Sequence, residues 1–401
     1  MFTRSAQIGL KVQATAGTEE TLAAADFAGN FKESDVTLDV NQYERDLIQA
    51  SLARRPSLPG QAIQTITFMG EVVGGGAAVA APFHRQLAGL SMASTQVKAI
   101  AVNAPSGGTF KIGQTIGNAT TLGASTKIGK FVKYSNGKIF YVPVTSAFIS
   151  GDTLYNFAAT QVSALSTSGP ANGGFAFSPV TATDAAPNDE FTVEKREGGV
   201  RYTVIGARAT GTYSAKLGEP LLFKSEFKGA PVFDSNGISP RIGAAITAVP
   251  VAGVTPVVNK NVTLIVRTAS ADYKPVLTAL EVNLNNTLAS RETINDNSYA
   301  GSGYLDTLIS GREYTATIDP EYVLPAVFDF IGFINAGTTF EMIHEVGAVT
   351  HGNGMFIMHG PAVQLTGSPA FGDRNGVRTV GPTVKFTGTA DDEIFFYHLF
   401  G

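Results

Sequence analysis

Residues 354–388 read GMFIMHGPAVQLTGSPAFGDRNGVRTVGPTVKFTG, which has the pattern of a β-hairpin. The segment contains an apolar strand, a connection rich in Gly, Pro and Asp, and a second strand that ends in Phe-Thr-Gly. Residues 199–229 follow the same plan. The first strands end at Thr366-Gly367 and Thr210-Gly211, and both second strands end on Phe-x-Gly. A hairpin that occurs twice indicates an internal repeat.

The segments before the two hairpins repeat in the same order. In each half, two alternating strands precede a helical segment, a short strand and then the hairpin. These four segments are 36–45, 62–72, 82–93 and 191–195 in the first half, and 277–285, 312–319, 322–336 and 340–345 in the second. The sequence therefore predicts a mainly β protein with two tandem β-sandwich modules, one formed by residues 1–96 and 190–240 and the other by 241–401, each with one helix.

Each helical segment has an apolar stripe that could cover one face of a sheet. In the first half, Phe83, Leu87 and Leu90 fall at helical spacing behind Pro82, a favoured first-turn residue. In the second half the stripe is formed by Leu324, Val327, Ile331 and Ile334, and it ends at Gly337.

Residues 97–189 break the pattern of the flanking strands and predict a small inserted β-domain on an outward-facing loop. Residues 108–118 are echoed by 146–156, with Phe, Gly, Thr and Asn at matching offsets. Asn136-Gly137 predicts a tight hairpin turn between them. Ser- and Gly-rich tethers are expected at 163–174 and 181–188. Outside the insert, 1–30 is interpreted as an arm that docks elsewhere and 242–258 as a linker or bridging arm.

Composition excludes several classes of function. Only 15% of the 401 residues are charged, against roughly a quarter in ordinary soluble domains, which suits a subunit that covers much of its surface with copies of itself. The net charge of -4 argues against a protein that binds nucleic acid tightly. There is no cysteine, so disulfides and thiol catalysis are excluded. With no signal-peptide pattern and no spanning apolar run, we expect a soluble protein made without export and no membrane contact.

The sequence offers few candidates for catalysis. Three histidines, His344, His351 and His359, lie near Glu341 and Glu345, but their spacing on hairpin strands does not favour a metal site. The tetrapeptide 373–376, Asp-Arg-Asn-Gly, is typical of a hairpin turn and lacks the later ligands of a calcium loop. No phosphate loop or nucleophile elbow is present. We expect a protein that is not an enzyme, with no catalytic residue, metal or cofactor.

Four stretches carry a family resemblance, and they are LKVQATAGTEETLAAADFAGNF at 10–31, SLARRPSLPGQAIQTITFMGEVVGGG at 51–76, PAVQLTGSPAFGDRNGVRTVGPTVKFTG at 361–388 and DDEIFFYHLF at 391–400. Together they resemble long-tailed bacteriophage (siphophage) major tail tube proteins. The resemblance covers about 1–96 and 190–401 and depends on the order of the motifs. The insert resembles the small β-domains that phage structural proteins carry on outer loops.

The resemblance implies a virion structural protein of the tail, made in the host cytoplasm. Members of this family stack as rings whose inner wall is a 24-stranded β-barrel that conducts the genome. A chain with two modules resembles the members that form trimers with pseudo-sixfold symmetry, and the eight long strands predicted here supply 24 in three copies. The implied partners are other copies of the chain, the tape measure, tail terminator and distal tail proteins, with transient, non-specific DNA contact.

If the apolar faces of these strands pack on the helices, their opposite faces line the channel. The candidate lining residues are Thr37, Asp39, Asn41, Thr65, Thr67, Glu71, Lys224, Glu226, Glu281, Asn283, Glu313, Thr315, Thr317, Thr383, Lys385 and Thr387. Such a face repels phosphate mildly, so that DNA would slide past it. They could equally be ordinary solvent-facing strand residues.

Two other functions stay open at this point. An adhesin or decoration protein that binds a cell surface or carbohydrate would use residues 97–189 for binding and would form no rings. A hydrolase would lose its activity on substitution of His344 or His359, although no catalytic motif supports it.

Overall fold

The computed structural model describes residues 6–28, 31–45, 56–74, 82–158, 161–181, 189–234, 241–242, 256–260, 262–268, 271–295, 299 and 302–401. Within these residues the protein is mainly β, with two short helices, and every strand pairing is antiparallel. The predicted fold class is confirmed at this level. The predicted segments at 182–188 and 243–255 lie outside the described residues.

The first 242 residues contain fifteen strands and one α-helix among the described residues. They are β1 (Gln7–Val12), β2 (Phe27–Ala28), β3 (Phe31–Tyr43), β4 (Leu58–Glu71), α1 (Pro82–Gly89), β5 (Met92–Ala101), β6 (Thr115–Gly117), β7 (Ile128–Ser135), β8 (Lys138–Pro143), β9 (Thr153–Asn156), β10 (Ser163–Leu165), β11 (Ala171–Pro179), β12 (Phe191–Glu197), β13 (Val200–Lys216), β14 (Leu222–Pro231) and β15 (Arg241–Ile242). The remaining elements are β16 (Thr263–Arg267), β17 (Asp272–Tyr273), β18 (Ala279–Glu292), β19 (Tyr304–Ile318), α2 (Phe330–Ala336), β20 (Thr339–Gly347), β21 (Met355–Arg374), β22 (Val377–Phe386) and β23 (Phe395–Leu399).

The strands of the two halves pair in the same order. In the first half the order is β3–β4–β14–β13–β12–β1–β2. In the second half it is β18–β19–β22–β21–β20–β16–β17. The interpretation of 1–30 as an arm that docks elsewhere is therefore wrong for β1, which pairs with β12 of its own chain because its buried Ile8 and Leu10 extend the same core.

One pairing joins the two halves into a continuous sheet. Residues 211–216 of β13 lie antiparallel to residues 284–279 of β18. The long strands therefore follow one another as β3–β4–β14–β13–β18–β19–β22–β21. We call the β13–β18 pairing the internal joint.

The core lies on one face of this sheet, where apolar residues alternate along each strand. Ile66, Phe227, Val282 and Val384 are all completely buried in one cluster that spans both halves. Full burial of such side chains contributes roughly 1.5–3 kcal/mol each. The stripe predicted for α1 belongs to this cluster, although the helix ends at Gly89 and not at residue 93.

The apolar stripe predicted for the second helix is wrong. Helix α2 starts only at Phe330, where the Asp329 side chain accepts a 2.8 Å hydrogen bond from the backbone N–H of Gly332. It ends at Ala336, and Gly337 caps its C-terminus with φ 61°. Pro325 disfavours helical backbone at the residue before it. The predicted stripe is exposed at Leu324 (73%), and also at Val327 and Ile331. Phe328 and Phe330 fill the core instead.

The predicted hairpin connection at 368–376 is mostly strand, since β21 continues to Arg374. The turn itself consists of Asn375 and Gly376, with φ 55° and 83°, and Gly376 N–H donates to the Asp373 side chain at 3.0 Å. The interpretation of this tetrapeptide as a hairpin turn is confirmed.

The insert has a hydrophobic cluster of its own around Phe110, Phe131 and Phe148. Asn136 and Gly137 both have positive φ in the β7–β8 turn, as predicted. The repeated segments pair with each other through β6 and β9. The tether predicted at 163–174 is wrong, because it contains β10 and the start of β11, which pairs with both β5 and β23.

Candidate channel-lining face

The face of the joined sheet opposite the core is polar. Residues directly opposite each other in antiparallel strands share a face, and successive residues alternate between faces. On β4, buried Ile66 and Phe68 alternate with the partly exposed Thr65 and Thr67. We call this second face the polar face.

A single row of opposed residues crosses all eight long strands on the polar face. It reads Glu33, Met69, Lys224, Thr212, Asn283, Thr315, Lys385 and Gln364. Seven of these eight side chains are polar, and the row passes through the internal joint without a break. Across that joint, the Thr212 hydroxyl donates to Asn283 Oδ1 at 3.1 Å.

All sixteen predicted lining residues are at least partly exposed. The structure opposes several of them directly, including Thr37 with Thr65 and Glu281 with Thr317. Two leave the regular rows. Asn41 lies at a bulge of β3, and the Thr387 hydroxyl bonds to the Ala362 carbonyl at 2.8 Å, just after β22. Whether the face lines a channel is a question of assembly.

The sequence prediction missed part of the polar face. The omitted members are Glu33, Asp35, Thr210, Thr212, Ser214, Lys228, Gln364 and Thr366. The alternation of Thr210, Thr212 and Ser214 was readable from the sequence. Thr212 and Ser214 were missed because the predicted strand stopped at Gly211, whereas β13 continues to Lys216.

Carboxylates outnumber ammonium groups on the polar face by seven to three. The carboxylates are Glu33, Asp35, Asp39, Glu71, Glu226, Glu281 and Glu313, and the ammonium groups are Lys224, Lys228 and Lys385. The Lys385 Nζ to Glu313 Oε1 pair at 3.1 Å is exposed and contributes at most about 1 kcal/mol. When the guanidinium groups of Arg208, opposite Lys228, and Arg374, in the same alternation as Gly372, are added, the face has seven carboxylates and five cations, and this net negative charge disfavours tight binding of a phosphate backbone.

One end of the polar face is covered by the β18–β19 hairpin. Tyr304 is completely buried against Ile205 and Ala230. Beside it, Arg208 pairs with Glu190 at 3.5 Å, and burial raises the pKa of the Glu190 carboxyl despite that pair. This end of the face is a packing contact between the two halves, so it does not offer an open polar surface.

The histidines considered as metal ligands face different surroundings. His344 Nδ1 lies 2.8 Å from the Tyr213 hydroxyl in the core, and burial lowers the pKa of His344 to about 4. His359 Nε2 lies 2.8 Å from Glu341 Oε1. In the described part of the chain, no group of three or more His, Asp or Glu side chains could hold a metal ion.

A cleft of about 560 Å³ separates the insert from the second half. Lys111 and Lys130 of the insert line one side, while His359 and Tyr397 line the other. Gly113 approaches the His359 ring so closely that a Cβ there would lie 3.2 Å from Cε1. The cleft combines aromatic surface with two lysines and with the carboxylates of Glu341 and Asp392.

Comparison with models of known protein families gave no match, and comparison with curated protein sequences gave none either. Among the described residues, no helix is both long and apolar enough to cross a bilayer.

Proposed function

We propose that this chain is the major tail tube subunit of a long-tailed phage, a structural protein that stacks in rings around the exiting genome. The observation that carries the proposal is the internal joint. It connects two sets of strands with the same order into one eight-stranded sheet that has a core on one face and a polar surface on the other. In this proposal the halves are tandem tube modules.

The stagger of the joined sheet supports closure into a barrel. In the first half, a row of directly opposed residues crosses four strands from Asp35 on β3 to Thr210 on β13. The equivalent row of the second half starts at Glu281 on β18. The internal joint sets Glu281 opposite Ser214, four residues beyond Thr210. Four residues at about 3.3 Å each, across four strands about 4.8 Å apart, correspond to a tilt of about 35°. Closed barrels have tilts of roughly 35–45°.

Three copies would supply 24 strands, and the polar face would then line the channel. Since carboxylates are in excess, passing DNA would meet mild repulsion and could not exchange its counterions for lysine contacts. In the tail, the same rings would contact tape measure, terminator and distal tail proteins, and the insert would lie outside. The protein would act by assembly and not by catalysis.

Electron microscopy of the concentrated full-length chain, with and without tail initiator components, tests the proposal. End-on views should show rings of three chains with pseudo-sixfold symmetry. Their bore should measure about 45 Å between opposite backbones, from 24 tilted strands about 4.8 Å apart. Particles that stay monomeric at every concentration and with the initiator would contradict it.

The cleft favours one alternative, an adhesin or decoration protein. Its aromatic side chains suit a sugar ring, and Lys111 and Lys130 on the insert side would favour an acidic sugar against the opposing effect of Glu341 and Asp392. If this is the function, the full-length chain should bind acidic polysaccharide, the Lys111→Glu and Lys130→Glu variants should lose binding, and no rings should form. Binding unaffected by both substitutions would exclude the cleft as the binding site.

A further inference from the structure

The joined sheet ends in two strand edges without a partner among the described residues. β3 pairs only with β4. From Thr366 onward, β21 pairs only with β22. Free edges of this length pair readily with another strand.

The equal strand order makes the two halves comparable residue by residue. Thr210 lies opposite Glu226 and Thr366 lies opposite Thr383, which sets these two pairs as equivalent. Lys224 precedes Glu226 by two residues on β14, and Gly381 precedes Thr383 by two residues on β22. Lys224 lies opposite Thr212 and Gly381 lies opposite Ala370, so Ala370 is the counterpart of Thr212. Phe371 is then the counterpart of Tyr213.

The same comparison relates β3 to β18. Lys228 opposes Thr65, which opposes Thr37. Lys385 opposes Thr315, which opposes Asn283. Thr37 is therefore the counterpart of Asn283, and Val36 and Leu38 are the counterparts of Val282 and Leu284.

We propose that β21 of one copy pairs with β3 of the next copy in the register of the internal joint. Ala370 then lies opposite Thr37, Phe371 opposite Val36, and Gly372 opposite Asp35 of the neighbour. The proposal rests on the proposed tube function and adds to it the residue register of the contact between copies.

Exposure supports this pairing. At the internal joint, Tyr213, Val282 and Leu284 are 4%, 0% and 0% exposed. Two of their three counterparts at the free edges are open, since Phe371 is 44% exposed and Leu38 is 41% exposed, while Val36 is half-buried against the core. The neighbouring copy would cover these apolar side chains as the second half covers those of the first.

The helices show the same asymmetry. The α1 stripe is covered by the second half, where the Phe83 ring packs on Phe356 with centroids 5.2 Å apart. On the second half, Leu324 and Val327 before α2 are exposed, as is Ile331 within it. The first half of the next copy would occupy this place.

Engineered disulfides test the register, because the natural chain contains no cysteine. The Thr37→Cys/Ala370→Cys variant places two thiols directly opposite each other, where Cβ atoms lie about 4.5–5.5 Å apart. The matched control, Asp39→Cys/Ala370→Cys, moves one thiol two residues along the same face, to the diagonal distance of about 7–8 Å. Thr212→Cys/Asn283→Cys, at the internal joint, gives the rate of a known opposed pair.

Oxidised rings of the Thr37→Cys/Ala370→Cys variant should yield covalent trimers on non-reducing gels, at least tenfold faster than the Asp39→Cys control. A mixture of the two single-cysteine chains should give only dimers. Rings that form normally but cross-link no faster than the control would overturn the register and leave the tube function intact. If neither rings nor cross-links form, while the Thr212→Cys/Asn283→Cys chain oxidises, both proposals fail.

Discussion

Acidification from pH 7 to pH 4.5 should destabilise the fold through three buried histidines. His344 lies in the core beside Tyr213. His84 Nε2 and His398 Nδ1 are 3.1 Å apart, and His398 Nε2 lies 2.8 Å from the Asn353 carbonyl oxygen. Burial lowers the pKa of His344 and of His398 to about 4, and burial beside His398 lowers that of His84 well below its ordinary value.

The sign follows from comparing folded and unfolded chains. An unfolded histidine has a pKa near 6.5, so the unfolded chain binds protons first as the pH falls. The contribution of these histidines to the free energy of unfolding is therefore fully present above about pH 6.5 and is lost progressively as the pH falls to about 4. A difference of about 2.5 pKa units corresponds to roughly 3 kcal/mol for each of His344 and His398. The raised pKa of Glu190 acts in the opposite sense, and the lowered pKa of Asp319 acts only below about pH 4.

Urea unfolding followed by circular dichroism at pH 7, 6, 5 and 4.5 measures this loss directly. His344→Gln should reduce the free energy of unfolding at pH 7 but make its decline on acidification shallower. His351→Gln, at an exposed turn, serves as the matched control and should keep the wild-type slope. A His344→Gln chain that loses stability as steeply as wild type would refute the reasoning.

Three further predictions concern assembly, the core and the polar face. Phe371→Asp should abolish rings but lower the free energy of unfolding of the monomer by less than about 1 kcal/mol, because the side chain is 44% exposed. Ile149→Asp in the insert is the control and should still assemble. Rings of normal yield from Phe371→Asp would contradict the edge contact. Phe227→Ala should lower the free energy of unfolding, measured in urea, by about 3–5 kcal/mol because Phe227 is completely buried. Ile149→Ala should lower it by less than about 1 kcal/mol, and equal losses from the two variants would contradict the prediction. Glu226→Lys/Glu281→Lys rings should retain DNA in co-sedimentation at low salt and release it at high salt, unlike wild type, and salt-independent binding would argue against phosphate contacts.

The long strands were predictable because their alternation is local. Ile66 and Phe68 alternate with Thr65 and Thr67, and the structure buries only the first pair. The ends were less predictable. β19 begins at Tyr304, eight residues before the predicted start at residue 312, because Tyr304 is buried against the other half by a contact that no local pattern encodes.

The joint between the halves was not predictable from the sequence. Tyr213 and Val282 oppose each other in space but are distant in the chain, and periodicity says nothing about which strand a second edge will pair with. The same limit applies to the candidate site. Alternation placed Thr65 and Glu281 on the correct face of their strands, whereas the continuity of that face across eight strands depends on the joint.

In the proposed register the free edges share the geometry of the internal joint but differ from it in chemistry, and the difference would suit a subunit that folds alone before it assembles. At the internal joint, the Tyr213 hydroxyl is satisfied by His344, and buried Asn286 donates to the Ala209 carbonyl at 3.0 Å. A buried hydrogen-bonding group without a partner costs free energy, so such groups would destabilise an edge that became buried before its strands had paired. Their counterparts at the free edges are Phe371 and Val40, whose side chains carry no hydrogen-bonding group.

In the proposed assembly, charge would protect the same edges until two copies pair. In the free chain the Phe371 ring lies under the Arg378 guanidinium, 4.3 Å from its centroid. Glu33 and Asp35 on β3 oppose indiscriminate edge pairing, as charged side chains do on natural edge strands. In the proposed register Glu33 falls opposite Arg374, so the charges that discourage random pairing also favour one alignment. The permanent joint can therefore use buried hydrogen bonds, whereas the proposed joint between copies would be built from apolar side chains flanked by charge.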